Sequence, residues 1–480
     1  MIRYNKGVSR LEWADMNIGC LLEELIAVAQ ISKTDFAISM NMTPSGLSKL
    51  LTGRRLPLYK EKKQFCKDAA RHLADGIYEL RCYLKFGHLF PVIYDFNAQY
   101  ELEMFLAQAL EYTLDKSFAL EINTNLEYPE QEISYLGKKV VLNAICILFS
   151  DALMNEKDSA YDFYSSFPIL STQYAELFGR IKVLNINRSK NVTWHHYFAM
   201  QAFEAIVPEH EIDVLFLLER MEQYADFNLW TTPKTLDTSF LLLKGRFLLQ
   251  LQIQLDGIIL MTQIRHRSYL SVFFNALMKQ EAKKISYNRK EAIAVLKQDP
   301  LLLERLRSKG IAAVYNFISI GYLLTKEELQ QSSQDELVND RLFELFQTIL
   351  TEKIPFYVNV DAMFNIYITG KALVPLIGAV AIKQEERIPY LQRFDSYINE
   401  QTQDKIRILN AELPKMAIFA CHGCSLIYLY DVQTDLEKLY YFETDLLNQF
   451  LSRKVATNTK AVMDFSPDLW MTYLSELARS

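Results

Sequence analysis

The stretch from Ile31 to Pro57, ISKTDFAISMNMTPSGLSKLLTGRRLP, constrains the fold of this chain more than any other. Ser32 is a favoured helix N-cap, and Asp35 stands three residues later, where an acid helps to close the first helical turn. The pair Thr43-Pro44 combines a second N-cap with the residue preferred at the first helical position. The stretch therefore predicts two short helices joined by a sharp turn.

Each predicted helix has one apolar side, as expected for helices that pack on a common core. Asn41 falls at the turn and tolerates the left-handed conformation better than most residues. Ala37 supplies a small side chain where a following helix can cross closely, and Gly53 ends the second helix. The apolar positions are Phe36, Ala37, Met40, Leu47, Leu50 and Leu51.

This stretch resembles the helix-turn-helix domain of the Cro and lambda-repressor (XRE) family over about residues 18 to 60. Three positions depart from the family pattern without breaking its geometry: Lys33 replaces glutamine, Asn41 replaces the turn glycine, and Thr52 replaces asparagine. The matching positions are Ile31, Ser32, Phe36, Ala37, Thr43, Ser45, Leu47, Ser48, Gly53, Arg54, Arg55 and Pro57.

The resemblance implies a lambda-repressor-like all-α domain whose second motif helix lies in the major groove of double-stranded DNA. Base edges would then be approached by Ser45, Gly46 and Lys49. Phosphates would be contacted by Ser32, Lys33, Thr43, Arg54 and Arg55. The alternative is a helical hairpin that only packs against the rest of the protein.

The charge distribution favours the DNA-binding interpretation. Residues 31 to 63 contain two acids, Asp35 and Glu61, and seven cations, which gives a net charge of +5. The whole chain carries −6, so −6 − (+5) leaves −11 for the remainder. A basic segment on an acidic body is typical of a protein that docks one end on DNA. The cations are Lys33, Lys49, Arg54, Arg55, Lys60, Lys62 and Lys63.

Length and composition predict a multidomain globular protein. A chain of 480 residues, half of them hydrophobic, supports two to four domains with well-formed cores. Six cysteines are too few for a disulfide framework at this length, which favours a reducing compartment. The N-terminal segment lacks the apolar core of a signal peptide, and no apolar run is long enough to span a membrane. We therefore expect a cytoplasmic protein of bacterial or phage origin.

The fold class predicted is mainly α, with an α-helical N-terminal domain followed by a larger α+β body. The expected segments are a helix-turn-helix domain at 1–58, a helical connector at 59–92, a mostly helical region at 93–235, a hairpin-plus-helix region at 236–330 and a second α/β region at 331–480. A joint that proteases can reach is expected near Gly87 to Tyr94, where Pro91 interrupts the helical pattern.

Within the body, periodicity distinguishes helices from strands. Two β-hairpins are predicted, one across Asp256-Gly257 and one across His422-Gly423, each followed by a helix. Their similarity suggests a duplicated unit, although too few residues are shared to establish it. Helices are predicted at 59–86, 97–116, 171–183, 192–205, 211–224, 268–279, 289–296, 301–309, 335–350 and 435–453, and strands at 239–264, 355–360, 364–368, 416–421 and 424–431.

Three local motifs carry possible chemistry, and each has a simpler structural explanation. Cys421-His422-Gly423-Cys424 lacks the second ligand pair that zinc requires and is predicted at a hairpin turn, so buried structural thiols are favoured. Trp194-His195-His196-Tyr197 places its imidazoles on different faces of a predicted helix, an unsuitable metal arrangement. Arg265-His266-Arg267 ends a strand and opens a helix, where an anion could bind, but a solvated strand end is favoured.

The sequence contains no glycine-rich phosphate loop and no recognised catalytic motif, so neither an enzyme, a metal nor a cofactor is predicted. The leading hypothesis is a sequence-specific DNA-binding transcriptional regulator. Its body would dimerise and bind an unidentified effector: a small molecule, a peptide or a protein. The alternatives are an enzyme or phage-defence effector with an autoregulatory helix-turn-helix, and an interaction protein whose helix-turn-helix is vestigial.

Overall fold

The structure is a computed structural model. It describes residues 17–79, 83–122, 132–154, 160–167, 179–183, 191–201, 214–255, 257–352, 354–397, 406–409, 414–431, 434–457 and 462–479. The chain divides into two compact units. The first comprises Met1–Ala199, Tyr224–Asp226 and Lys234–Glu281, and the second comprises Met200–Gln223, Phe227–Pro233 and Ala282–Ser480. The five predicted segments are finer than these units, and their boundaries stay predictions.

The first unit contains eight helices among its described residues, and one of them, α7, is buried along most of its length. A short 3-10 turn, Tyr59–Glu61, precedes the fourth helix. The helices are α1 (Ile18–Val28), α2 (Lys33–Ser39), α3 (Pro44–Leu51), α4 (Lys62–Glu79), α5 (Tyr83–Leu89), α6 (Gln99–Ile122), α7 (Lys138–Leu153) and α9 (Arg267–Leu277).

The sheet of the first unit has the order β5-β3-β7-β8-β9-β2, in which β3 and β5 are parallel and the other neighbours antiparallel. Its strands are β2 (Ile133–Leu136), β3 (Ala160–Ser165), β5 (Asn191–Ala199), β7 (Ser239–Leu243), β8 (Phe247–Ile253) and β9 (Ile259–Ile264). The predicted β8–β9 hairpin is confirmed, with Gly257 at a φ of 79° in its turn. A separate antiparallel pair joins β1 (Val92–Tyr94) to β4 (Ile181–Val183).

The second unit has helices of its own. They are α8 (Val214–Tyr224), α10 (Arg289–Gln298), α11 (Leu302–Ser308), α12 (Lys326–Ser332), α13 (Glu336–Thr351), α14 (Val360–Thr369), α15 (Arg387–Tyr397), α16 (Leu446–Thr457) and α17 (Pro467–Leu477), with a 3-10 turn at Gln384–Glu386.

The large sheet has the order β11-β19-β18-β17-β12-β13-β16-β20, with β12, β13 and β16 parallel. Its strands are β11 (Ser286–Asn288), β12 (Ile311–Asn316), β13 (Phe356–Val358), β16 (Ile406–Leu409), β17 (Met416–Cys421), β18 (Cys424–Asp431), β19 (Leu436–Phe442) and β20 (Val462–Asp464). β6 (Asp226–Thr232) pairs with β10 (Lys283–Lys284) in antiparallel fashion, and β14 (Lys371–Val374) and β15 (Gly378–Ala381) form a separate two-stranded antiparallel sheet. Helices and sheets in both units confirm a mixed α/β body.

The two units repeat one topology. The order β2-β9-β8-β7-β3-β5 in the first matches β11-β19-β18-β17-β12-β13 in the second, with the same parallel pair at one end. In both, the three-stranded antiparallel meander precedes a helix, α9 or α16. This agreement in order and direction supports the duplication that the two hairpins suggested.

Four predicted elements are corrected. Of the helix predicted at 192–205, residues up to Ala199 form β5 beside β3 because they are β-branched and aromatic, whereas Met200 and Gln201 are helical and the rest lie outside the described residues. Asp435–Arg453 begins with β19 and becomes helical only in α16. Phe364–Ile368 belongs to α14, which starts at the Asn359 cap and ends at Gly370 in the left-handed conformation. The predicted helix at 59–86 is a 3-10 turn, α4 and the start of α5, and residues 80–82 lie outside the described range.

The helix predicted at 171–183 lies mostly outside the described residues, and its last three residues form β4. None of the helices that the structure describes is long and apolar enough to cross a membrane.

Candidate nucleic-acid interface

The helix α2 begins at the predicted cap. The Ser32 hydroxyl accepts a hydrogen bond from the Asp35 backbone N–H at 3.0 Å and donates to the Asp35 carboxylate at 2.6 Å. The first of these bonds satisfies a backbone N–H at the helix start that would otherwise lack a partner. Phe36 and Ala37, in the following turn, are fully buried.

A tight turn connects α2 to α3. Asn41 adopts a φ of 52°, the left-handed conformation for which Asn is suited among non-glycine residues. The Met42 N–H then donates to the Ala37 carbonyl oxygen at 2.8 Å. The Asn41 side chain is exposed, so asparagine fits this turn without a clash.

The helix α3 is defined at both ends. Thr43 accepts from the Gly46 N–H at 3.0 Å, and Pro44 occupies the first turn. At the other end Gly53 has a φ of 70°, and the Arg54 N–H donates back to the Lys49 carbonyl oxygen at 2.9 Å. This left-handed exit turns the chain so that Arg54 and Arg55 follow the helix as a pair.

The inner face of α3 packs very closely on α1. Leu47, Leu50 and Leu51 are buried there. A Cβ atom on Gly19 would lie 2.6 Å from the Leu50 carbonyl oxygen and closer still to that of Leu51. The approach therefore requires glycine. Sequence reasoning missed Gly19, although a glycine inside an apolar helical segment is the pattern that marks such a contact.

The outer face of α3 presents the predicted base-contacting residues. Ser45 and Lys49 are exposed and stand four positions apart, which places them on one side of the helix, and Gly46 beside them is half-buried. Ser48 and Thr52 are also exposed, and the Thr52 hydroxyl donates a hydrogen bond to the Ser48 carbonyl oxygen at 2.9 Å. The structure thus brings Ser45, Gly46 and Lys49 together.

The predicted phosphate-contacting residues differ in whether their side chains already form ion pairs or hydrogen bonds within the protein. Arg54 and Arg55 are exposed and form no ion pair within the described parts of the chain. Lys33 forms an ion pair with Glu23 of α1. Ser32 and Thr43 serve as caps, and the Ser32 hydroxyl proton is directed to Asp35, so Thr43 keeps the more available hydroxyl.

Lys62, one of the seven cations of the basic segment, is buried and pairs with acids of α6. Its ammonium lies 2.7 Å from the Asp115 carboxylate and 3.2 Å from that of Glu111, both on α6. Burial alone would lower the pKa of Lys62, but the bonds to these acids outweigh burial and raise it. With Lys33 and Lys62 paired, the cations without an acidic partner among the described residues are Lys49, Arg54, Arg55, Lys60 and Lys63.

The Cys421–Cys424 pair lies where the sequence placed it, at the β17–β18 turn. The two residues are direct cross-strand partners and both are buried. A hydrogen bond from Cys421 lowers the pKa of Cys424, while that bond and burial raise the pKa of Cys421. No group of three or more His, Cys, Asp or Glu side chains in the described residues could hold a metal ion.

The histidine motif lies on β5 rather than on a helix. His196 is buried, and its Nδ1 lies 2.8 Å from the Ser165 hydroxyl, which itself accepts from the Trp194 indole N–H at 2.7 Å. Burial lowers the pKa of His196 to about 3, so the imidazole is neutral, and its tautomer decides whether Ser165 or Nδ1 donates their shared hydrogen bond. This is a satisfied internal network.

Arg265-His266-Arg267 joins β9 to α9 as predicted. The segment borders a cavity of about 530 Å³ that Glu132 also lines, and His266 Nδ1 lies 2.7 Å from the Ser268 hydroxyl. Arg265 donates to the Tyr112 hydroxyl at 3.0 Å. The cavity therefore contains both signs of charge and no clear preference for an anion.

Neither a family model nor a curated protein matches this chain. Among solved structures, it is similar to TrmBL2, an archaeal chromatin protein whose structure shows a novel mode of DNA binding. The identity is 10%, the TM-score is 0.18, and the match covers 48% of this chain and 94% of the other. A similarity this weak carries no argument about fold or function.

Proposed function

We propose that the chain is a sequence-specific DNA-binding transcriptional regulator whose helix α3 reads the major groove. The observation that supports this most is the two-sided character of α3. Its inner face is fixed against α1 through Gly19, while its outer face presents Lys49 and is followed by Arg54 and Arg55 without acidic partners among the described residues. A helix held this rigidly can present its outer side chains at a fixed depth in a groove.

In this proposal Ser45, Gly46 and Lys49 approach base edges. Lys49 can donate to guanine O6 and N7, and Gly46 lets the backbone come close. Arg54, Arg55, Thr43, Ser32 and Lys33 contact phosphates, with Lys33 exchanging its Glu23 partner for a phosphate oxygen. Phosphate contacts position the protein, and base contacts select the sequence.

We further propose that the chain acts as a homodimer, because one domain of this size makes few contacts and this type of motif usually reads two half-sites. Light scattering at micromolar concentration should give twice the chain's 55.9 kDa mass without DNA, and that mass plus one duplex with operator DNA. A monomer that occupies a single half-site would contradict the dimer. The body would bind the effector that alters DNA binding.

In vitro selection with the full chain tests the function directly. A random duplex library should yield a palindromic motif of two half-sites about one helical turn apart. The Lys49→Ala protein should lose the motif or relax it, whereas Lys383→Ala, an exposed lysine of the second unit, should select the wild-type motif. Failure of the wild-type protein to enrich any sequence would refute sequence-specific binding.

A further inference from the structure

A small cavity lies in the second unit, beside the ends of its parallel strands. Asn316 is the last residue of β12 and Val358 the last of β13, and both line a cavity of about 60 Å³. Phe356, Phe394 and Trp470 are part of its wall, which is otherwise mostly aliphatic. In sheets of this kind, ligands bind outside the carboxyl ends of parallel strands.

Two buried donors that line this cavity lack partners among the described residues. The Asn316 side-chain oxygen accepts from the Tyr322 hydroxyl at 2.6 Å, which leaves the Asn316 Nδ2 donor without an acceptor. The indole N–H of buried Trp470, on α17, has none either. A buried donor left unsatisfied is costly, so each such group calls for an occupant that accepts hydrogen bonds.

Tyr390 adds a third donor to the same wall. Its hydroxyl oxygen accepts from the Leu323 N–H at 3.4 Å, so the hydroxyl proton is left to donate. Burial raises the pKa of Tyr390, so the phenol keeps this proton across the usual working pH range. Donors are therefore in excess among the polar side chains that line the cavity.

At the corresponding strand end of the first unit, the polar side chain has hydrogen-bond partners within the protein. Ser165 ends the parallel ladder of β3 and β5 just as Asn316 ends that of β12 and β13. Ser165 accepts from Trp194 and shares a second hydrogen bond with His196, so its hydroxyl is paired within the protein. In the repeated topology, one copy fills this site with its own side chains, and the other offers donors to something else.

The chemistry of the cavity selects its occupant. Water could accept from two of these donors, but its own two hydrogens would find few acceptors among the side chains that line the cavity. A carbonyl oxygen has lone pairs and no hydrogen to place. No charged side chain lines the cavity, which disfavours a carboxylate or other anion. The neighbouring guanidinium of Arg393 is held by Glu328 at 2.8 Å.

We propose that this cavity binds the carbonyl end of a small, neutral, largely apolar molecule, whose oxygen accepts from the two unsatisfied donors, Asn316 and Trp470. This cavity is then the effector site of the regulator, and only that role depends on the proposed function. The site is a property of the second unit and is measured without DNA, so its failure leaves DNA binding untouched.

Acetone is the simplest probe, and 2-methylpropene is its hydrocarbon isostere without the oxygen. The full chain, labelled with ¹⁵N-tryptophan, has four tryptophans and so four indole N–H signals; loss of one in Trp470→Phe assigns Trp470. Acetone should move the Trp470 signal downfield and saturably, while the other signals stay in place. Four heavy atoms limit the expected Kd to roughly the high micromolar to millimolar range. 2-Methylpropene should bind about tenfold more weakly or not at all.

Asn316→Ala should weaken acetone binding by about tenfold, with Trp470 still reporting. Asn143→Ala is a matched control, because the Asn143 oxygen also accepts from a tyrosine hydroxyl, at 2.7 Å, and its Nδ2 is also buried without a partner in the described chain. This control should bind acetone normally. An unsaturable Trp470 signal in the wild-type protein, or equal responses to acetone and 2-methylpropene, would overturn the proposal even if neither variant folds.

Discussion

Gly19 is the residue on which the position of α3 depends most directly. It lies in α1, and its lack of a side chain lets the carbonyl oxygens of Leu50 and Leu51 approach its Cα. Any larger residue pushes α1 and α3 apart and shifts the outer face of α3 with them. The packing of α1 on α3 at this glycine therefore determines the position of Lys49.

Replacing Gly19 with alanine should lower the free energy of unfolding by about 1–3 kcal/mol, since overpacking a close contact costs this much. Urea denaturation of the two proteins measures it. Ser48→Ala, on the exposed side of α3, should change stability by less than about 0.5 kcal/mol. A Gly19→Ala protein as stable as wild type would show that the two helices can separate freely.

His196 makes stability depend on pH. Burial lowers its pKa to about 3, whereas an unfolded histidine titrates near 6.5. Between these values the unfolded chain binds a proton that the folded chain excludes, so stability present above pH 6.5 is lost as the pH falls. From pH 7 to pH 5 this contribution amounts to about 2 kcal/mol.

The His196→Asn variant should lose about 2 kcal/mol less than the wild-type protein over that pH interval, because it has no group to protonate there. Asparagine can still accept from Ser165 through its side-chain oxygen. Denaturant titrations at pH 7 and pH 5 give the difference, and exposed His266→Asn serves as the control. Equal losses in the wild-type and His196→Asn proteins would mean that His196 is protonated in the folded state.

At the scale of elements, the segment Gly87 to Tyr94 differs most from expectation. The sequence predicts an accessible joint there, but Phe86, Phe90 and Val92 are buried. The Phe90 and Phe105 rings are 5.0 Å apart, and the Val92 N–H donates to the Ser150 hydroxyl of α7 at 3.1 Å. Pro91 marks the change from α5 to β1 rather than a linker.

Limited proteolysis under native conditions should therefore leave residues 83–94 uncut. Phe90→Ala removes a buried ring at a cost of about 3–5 kcal/mol and should open this segment to cleavage. Mass spectrometry of the fragments locates the cuts in both proteins. Early cleavage of the wild-type chain between Gly87 and Tyr94 would instead support the accessible joint that the sequence predicts.

Local rules predicted the caps, the apolar faces and the hairpin turns, because each depends on residues a few positions apart. Ser32, Thr43 and Gly257 all lie where those rules placed them. The rules failed at β5 and β19, whose strand state depends on neighbours distant in sequence. Gly19 and the Asn316 cavity share this cause: each arises where chain segments far apart in sequence meet.

At the scale of the whole molecule, the repeated topology divides the roles proposed here. The first unit carries the candidate DNA-reading helices and completes its own strand-end network at Ser165. The second unit carries the same strand arrangement with unsatisfied donors at Asn316 and Trp470. A duplicated fold in which one copy keeps an open site suits a regulator that couples an effector to DNA.

The central claim is that α3 lies in the major groove, and fluorescence anisotropy on operator and scrambled duplexes at several salt concentrations tests it most directly. Lys49→Ala should cost about 1–3 kcal/mol on the operator and little on scrambled DNA, because Lys49 contacts bases. Arg54→Ala should weaken binding to both duplexes, because Arg54 contacts phosphates. It should also flatten the slope of log affinity against log salt by about 1 for each chain bound. Unchanged affinities for both variants on both duplexes would contradict the placement of α3, and the regulator proposal with it.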